Sequence, residues 1–165
     1  MATKTFDVNH DVKALKIKDG TALIVSVDGT LADTSEAQAG DMNTTSYRCT
    51  VIGLEAVDRV QVNEGVAKRV RSYVKNNYPI LYLTWRPKDL RTRTEEWLKK
   101  NDLWSPKCFV LARENYDTRE RHMLLKAAVT FARKYIGVAY ESDNEMIKFY
   151  NDLNIEVKRI GVEHG

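Results

Sequence analysis

A short apolar run that ends in a sharp turn places the strongest constraint on how this 165-residue chain folds. The run, TALIVSV at residues 21–27, is followed directly by Asp28, Gly29 and Thr30. A near-continuous β-branched run of this length is typical of a strand that is buried on both faces, as in a parallel sheet. The Asp-Gly pair predicts a tight turn. We therefore expect a central strand whose carboxyl end carries polar side chains.

Four more apolar runs alternate with segments of helical spacing. The helices are expected to begin near Asn63, Pro87, Asp117 or Thr118, and Asp143, since these residue types favour helix starts. The further strands are predicted at 80–84, 107–111, 136–140 and 155–160. Alternating strands and helices predict a parallel sheet covered on both faces. The expected fold is a three-layer, Rossmann-like α/β domain with a five-stranded, mostly parallel sheet and a minimal cap.

The chain is long enough for one such domain, which we place at residues 20–165, after an N-terminal arm at 1–19. Within the arm, residues 12–18 fit either a short edge strand or a segment draped over the domain. Residues 34–45 are expected to form a loop, and 47–62 a small flap. No apolar run approaches the roughly 20 residues that a membrane span needs. Cys49 and Cys108 make neither a disulfide framework nor a four-ligand zinc site, so a reducing cytoplasmic location is expected.

The charge is distributed unevenly along the chain. Residues 65–134 hold 17 Lys and Arg against 7 Asp and Glu, whereas the whole chain has a net charge of only +3. A basic middle between acidic ends fits either a surface that faces a polyanion or helices with solvated basic faces. Both interpretations stay open at this stage.

Ligands of parallel α/β sheets bind at the carboxyl ends of the strands, near the switch in strand order. Carboxylates at the ends of the first and fourth strands fit a hard, oxygen-liganded cation such as Mg²⁺. Hydroxyl, lysine and arginine side chains nearby are suited to holding phosphate oxygens. Together these residue types indicate phosphoryl-transfer chemistry. The residues at or near the strand ends are Ser26, Asp28, Thr30, Thr84, Trp85, Arg86, Lys126, Glu141, Ser142 and Asp143.

Four segments in this order resemble the motifs of the haloacid dehalogenase (HAD) phosphohydrolase superfamily. LIVSVDGTLADT is similar to its first motif and ILYLTWRP to its second, while Lys126 in HMLLKAA fits the third. VAYESDNEMIKFYNDLNIEV is similar to the fourth. Within the superfamily, the segment LTWRPKDLRTRTEEWLKKNDL is most similar to the phosphatase domain of phage polynucleotide kinase-phosphatases. The resemblance covers about residues 20–162.

The resemblance implies a catalytic group of Ser26, Asp28, Thr84 and Lys126. Position 26 corresponds to the nucleophile, Asp28 to the general acid and base, Thr84 to the group that binds the phosphoryl, and Lys126 to its counter-ion. The implied Mg²⁺ ligands are Asp28, through its backbone carbonyl, with Glu141 and Asp143. Ligand contacts are assigned to Thr30, Trp85, Arg86 and Arg121, with Trp85 either stacking on a base, forming a wall or packing in the core. The three histidines lack metal-ligand spacing and receive no role.

Two departures from the family pattern bear on activity. The nucleophile position holds Ser26 instead of aspartate, and the second acidic position of the fourth motif holds Ser142. Serine is neutral, and no adjacent histidine is available to activate it. Ser26 fits an introduced substitution, a natural non-catalytic relative, or an altered chemistry that uses Asp28.

Three functions follow from these alternatives. The first is a Mg²⁺-dependent phosphomonoesterase acting on a nucleotide or polynucleotide 3′-phosphate, impaired by Ser26. The second is a pseudophosphatase that binds a phosphorylated ligand, a nucleic-acid end or a protein partner without turnover. The third is a structural component that keeps only the fold.

Overall fold

The computed structural model describes residues 15–33, 60–117 and 119–161. The strands within these ranges are β1 (Ala22–Ser26), β2 (Ala32–Asp33), β3 (Gln61–Val62), β4 (Ile80–Pro87), β5 (Cys108–Arg113), β6 (Ile136–Glu141) and β7 (Glu156–Arg159). The α-helices there are α1 (Glu64–Lys75), α2 (Arg91–Lys100), α3 (Arg121–Ala132) and α4 (Asn144–Asp152). Short 3₁₀ turns occupy Lys88–Leu90 and Arg133–Tyr135.

Five strands form one parallel sheet in the order β5-β4-β1-β6-β7. In the central strand, Ile24 lies opposite Leu81 of β4 and Ala139 of β6. Every residue of β1 is buried, as its near-continuous apolar sequence predicts. The predicted five-stranded α/β fold is confirmed.

Helices cover both faces of this sheet because neighbouring residues of a strand point to opposite sides. On one side, Ile24 belongs to a core cluster with Leu125 and Val129 of α3 and Tyr150 of α4. On the other side, Val25 shares a second cluster with residues of α1 and α2, among them Val70, Trp97 and Leu98. The domain is thus built in three layers with two separate cores.

The order of the strands determines where a ligand site can form. The chain passes from β1 to β4 and β5 on one side, and then crosses β1 to build β6 and β7 on the other. The strand order therefore reverses around β1, and a crevice is expected at the carboxyl ends there. β1, β4 and β6 are adjacent, so their last residues meet at one edge of the sheet.

Two predicted helix starts were wrong. Pro87 ends β4 instead of opening a helix, and α2 begins only after the 3₁₀ turn at Lys88–Leu90. α3 begins at Arg121, because the carboxylate of Glu120 accepts the backbone N–H groups of His122 and Met123. The carboxylate of Asp117 is bonded to Arg119 instead.

The small cap and flap predictions fall mostly on residues outside the described ranges. Residues 34–45 and 47–59 lie there, as do residues 1–14 of the proposed arm. At the edge of that segment, Ala32 pairs with Val62 and Asp33 with Gln61 in a two-residue antiparallel ladder. Residues 15–18 contain no strand, and Ile17 packs into the core beside α3 and α4.

Candidate functional site

Three polar side chains meet at the carboxyl ends of the central strands. Ser26 is the last residue of β1 and lies opposite Leu83, so Thr84 follows one position further along β4. Val25 lies opposite Tyr140, which places Glu141 at the same level on the other side. All three are buried, with exposed fractions of 5% for Ser26, 1% for Thr84 and 1% for Glu141.

Asp28, in the turn after β1, has both carboxylate oxygens engaged. Oδ1 accepts from Nε of Arg86 at 2.8 Å, and Oδ2 accepts from the hydroxyl of Thr84 at 2.5 Å. Nη1 of the same guanidinium donates to Thr94 on α2. Because the side chains of Asp28 and Arg86 are only 11% and 7% exposed, the pair is a buried, hydrogen-bonded ion pair. Asp28 therefore serves here as the counter-ion of Arg86.

Glu141 binds the loop that follows it and reaches toward β1. Its Oε2 accepts the backbone N–H groups of Ser142 and Asp143, at 2.9 and 3.1 Å, and the hydroxyl of Thr30 at 3.3 Å. Ser142 also donates to the carbonyl of Gly29 at 3.0 Å, which joins the loops after β6 and β1. Burial raises the pKa of Glu141, and the amide hydrogen bonds and Ser26 offset this rise only in part.

The carboxylate of Asp143 is engaged by His122 and by the start of α4. Its Oδ1 accepts from the backbone N–H of Met146 and caps α4, and both of its oxygens lie 3.1 Å from Nε2 of His122. Burial alone would raise the pKa of Asp143, but the hydrogen bonds from His122 and Met146 and the charges of His122 and Arg121 hold it below its ordinary value. His122, which sequence reasoning left without a role, thus joins α3 to α4. His122 lies four residues before Lys126, so the sequence already indicated that both side chains share one face of the helix.

Lys126 has an acidic partner on α4. Its Nζ lies 3.0 Å from Oε2 of Glu145 and 5.6 Å from the ring centre of Phe149. The structure therefore places the predicted counter-ion of the phosphoryl group in an ion pair, and shows no contact between it and Asp28 or Thr84.

The predicted ligand contacts divide into buried and partly buried groups. Trp85 is 7% exposed, packs in the core beside α3, and has the guanidinium of Arg113 5.4 Å from its ring centre. This environment favours a packing or wall role over an open stacking surface. Arg121, at the start of α3, has a buried Nε with no hydrogen-bond partner among the described residues.

Several cations of the basic stretch have protein partners. Lys88 pairs with Glu114 at 2.6 Å, Arg91 with Glu95 at 3.5 Å and Arg119 with Asp117 at 2.8 Å. Arg113 is buried and donates to the backbone carbonyl of Trp85. Because Glu95, Glu114 and Asp117 belong to the basic stretch themselves, these pairs leave its net positive charge unchanged.

The amino-acid sequence matches a known protein family over most of its length. Residues 23–162 match the family described as PITM 1-3, LNS2 domain. The chain belongs to the LNS2 domain family. LNS2 domains are themselves HAD-like, so the resemblance seen in the sequence is confirmed at the level of a phosphatase-like fold.

Two solved structures share the fold of this LNS2 domain. The structure of the Pnkp1/Rnl/Hen1 complex matches with a TM-score of 0.64 and 18% sequence identity, covering 86% of this chain and 46% of that chain. The structure of the Pnkp1/Rnl/Hen1 RNA repair complex matches with a TM-score of 0.65 and 17% identity, covering 89% and 44%. The LNS2 domain thus spans less than half the length of either chain. No curated protein matches it.

The predicted Mg²⁺ ligands, the backbone carbonyl of Asp28 and the carboxylates of Glu141 and Asp143, stay a prediction. Across the described ranges, no three His, Cys, Asp or Glu side chains converge to hold a metal ion. Asp28 is engaged by Arg86 and Thr84, and Asp143 by His122 and the end of α4. Of the two predicted carboxylate ligands, Glu141 keeps one oxygen, Oε1, without a hydrogen-bond partner among the described residues.

None of the helices that the structure describes is both long and apolar enough to cross a membrane.

Glu141→Gln should stabilise the LNS2 domain at neutral pH. Because the folded-state pKa of Glu141 is raised, its contribution to stability is full below the ordinary glutamate pKa and is lost as pH rises through the raised value. The amide removes this titration and keeps an oxygen for the N–H donors. Chemical denaturation should show the variant more stable than the parent at about pH 7, with a smaller difference at about pH 4.

Glu64→Gln is the matched control for this pH dependence. Glu64 is exposed and its hydrogen bond with Arg71 lowers its pKa, so its contribution is present above the ordinary glutamate pKa and lost in acid. That variant should therefore be less stable than the parent at neutral pH. A Glu141→Gln protein that is strongly destabilised at neutral pH would contradict our account of the site.

Proposed function

We propose that this LNS2 domain binds a phosphorylated ligand at the carboxyl ends of β1, β4 and β6 without hydrolysing it. Two features together carry the proposal. The nucleophile position holds Ser26, and both carboxylate oxygens of Asp28 are engaged by Arg86 and Thr84. A hydroxyl in place of a carboxylate removes the covalent route that the HAD resemblance implies.

The chemistry of the site suits an anion better than it suits catalysis. The hydroxyl of Ser26 and the guanidinium of Arg86 lie at or beside the strand ends and can donate to a phosphate oxygen, whereas the hydroxyl of Thr84 can do so only by leaving Asp28. Lys126 can join them only by leaving Glu145. Asp28 is held as the counter-ion of a buried arginine, so its carboxylate is not available as a general base. These contacts support binding of a phosphate group, with slow or no hydrolysis of the ligand that carries it.

Two measurements on the same protein test this proposal. Thermal unfolding with 3′-AMP, inorganic phosphate or adenosine should show stabilisation by the first two and none by adenosine. Phosphate release from 4-nitrophenyl phosphate, with and without Mg²⁺, should stay at the buffer rate. Thr84→Val should weaken the stabilisation, whereas Thr130→Val, which removes a hydroxyl bonded only to a helical carbonyl, should not. Release of phosphate that disappears in Ser26→Ala would overturn the proposal.

A polynucleotide 3′-phosphate is the second candidate ligand. It is favoured by the net charge of the basic stretch and by the fold shared with chains of an RNA repair complex. Arg121, whose buried Nε has no hydrogen-bond partner among the described residues and whose charge acts on Asp143, is a candidate contact for such a chain.

Short single-stranded oligonucleotides with a 3′-phosphate should then bind more tightly than 3′-AMP. Fluorescence anisotropy across a salt series should give a log–log slope of roughly 0.7 for each phosphate neutralised on a single strand. Arg121→Gln should reduce both affinity and slope, and Arg69→Gln on α1 serves as the control. A flat salt response would restrict the site to a small phosphorylated ligand.

A further inference from the structure

Two buried polar atoms near the carboxyl end of β6 have no hydrogen-bond partner in the part of the chain that the structure describes. They are Oε1 of Glu141 and the hydroxyl oxygen of Tyr150. Glu141 is 1% exposed and Tyr150 is fully buried. Buried polar groups of folded proteins are almost always hydrogen-bonded, so two such atoms require a common explanation.

The two groups are electrostatic neighbours. Glu141 ends β6, and Tyr150 lies on α4, which packs against β6 and β7. Burial raises the pKa of Tyr150, and the negative charge of Glu141 raises it further. Ser26, the last residue of β1, lies at the level of Glu141 on the adjacent strand, since Val25 lies opposite Tyr140. Three buried polar side chains from β1, β6 and α4 therefore lie near one another inside the domain.

We propose that Ser26, Glu141 and Tyr150 form a buried binding site for a single water molecule. The tyrosine O–H donates to the water oxygen, the water donates to Oε1 of Glu141, and Ser26 provides the third partner. Buried water molecules typically make about three hydrogen bonds to groups that would otherwise be unsatisfied. The water joins the ligand end of β1 to α4, and the inference does not depend on what the site binds.

Removing the tyrosine hydroxyl tests the site because the two possibilities predict opposite signs. Tyr150→Phe should lower the denaturation midpoint, since it deletes a hydrogen bond to the water. If the hydroxyl is simply unsatisfied, the same change should raise the midpoint, because removing a buried unpaired polar group is favourable. A raised or unchanged midpoint overturns the proposal.

A double-mutant cycle with Ser26→Ala tests whether the water is shared. Both single variants should be destabilised, and the double variant should lose less stability than the two losses added together. Tyr82→Phe is the control, because the hydroxyl of this buried tyrosine already donates to the carbonyl of Leu103 and Tyr82 belongs to the opposite core. Its effect should add to that of Ser26→Ala. Additivity between Ser26→Ala and Tyr150→Phe would reject a shared water.

The identity of the occupant is tested with salts. Unfolding midpoints measured in sodium, potassium and choline chloride at equal concentration should coincide if the occupant is water. A midpoint that depends on which cation is present would overturn the proposal in favour of a monovalent metal ion held by Glu141.

Discussion

Ser26→Asp should give this LNS2 domain Mg²⁺-dependent hydrolysis of 4-nitrophenyl phosphate at least about a hundredfold above the parent protein. The substitution adds a carboxylate at the end of β1, at the level of Glu141, whose Oε1 has no hydrogen-bond partner among the described residues. Two carboxylates then face one another, which is a donor set suited to Mg²⁺. The same carboxylate supplies the nucleophile that the HAD resemblance implies. Steady-state release of 4-nitrophenol in the presence of Mg²⁺ and of EDTA measures the gain.

The same variant also has a stability signature. Without a divalent cation, the new carboxylate lies near the buried carboxyl group of Glu141. Repulsion between two buried like charges should lower the melting temperature. Addition of Mg²⁺ should restore it. Ser26→Asn is the control, since asparagine has nearly the same shape as aspartate but carries no charge and no nucleophile. This variant should show neither hydrolysis nor a response to Mg²⁺. Equal rates for the aspartate and asparagine variants would reject the assignment of position 26.

Arg86→Met should destabilise the domain by about 3–5 kcal/mol, because it leaves Asp28 as a buried charge without its partner. Both side chains are nearly nine-tenths buried or more, so solvent compensates little for the loss. The hydrogen bond from Arg86 to Thr94 is lost as well. Urea denaturation followed by circular dichroism measures the change.

The double variant Arg86→Met with Asp28→Asn separates the unpaired charge from the loss of packing. Once Asp28 is neutral, much of the stability should return, since the charge left by the single change is gone. Arg91→Met is the matched control, because its partner Glu95 is only part-buried and the pair is of the weak i,i+4 kind. A double variant as unstable as the single one would mean that Arg86 acts through packing alone.

The convergence of Ser26, Thr84 and Glu141 was predictable from the chain. Each follows an apolar run, and the ends of parallel strands at a switch in strand order meet in one place. The starts of α2 and α3 were less predictable, because several residue types near each start favour a helix. Glu120, and not Asp117, caps α3, because its carboxylate accepts the backbone N–H groups of His122 and Met123. Composition does not reveal these contacts.

Partners across the fold were the part that sequence patterns could not provide. The helical pair Arg91 and Glu95 is visible in its spacing of four residues. Lys88, by contrast, directly follows β4, and Glu114 directly follows β5. These two residues meet only because β4 and β5 are paired. Asp28, the partner of Arg86, and Glu145, the partner of Lys126, lie outside the basic stretch, so its sequence pattern does not reveal these two pairs.

The ion pair between Lys126 and Glu145 makes Glu145 an intramolecular competitor of any anion that needs this lysine. A ligand that engages Lys126 exchanges one carboxylate for its own oxygens, so the affinity that is measured is the difference between two similar interactions. Selectivity follows from this exchange. A singly charged anion gains little by replacing a carboxylate, whereas a phosphate dianion offers more charge and more oxygens to the same ammonium group.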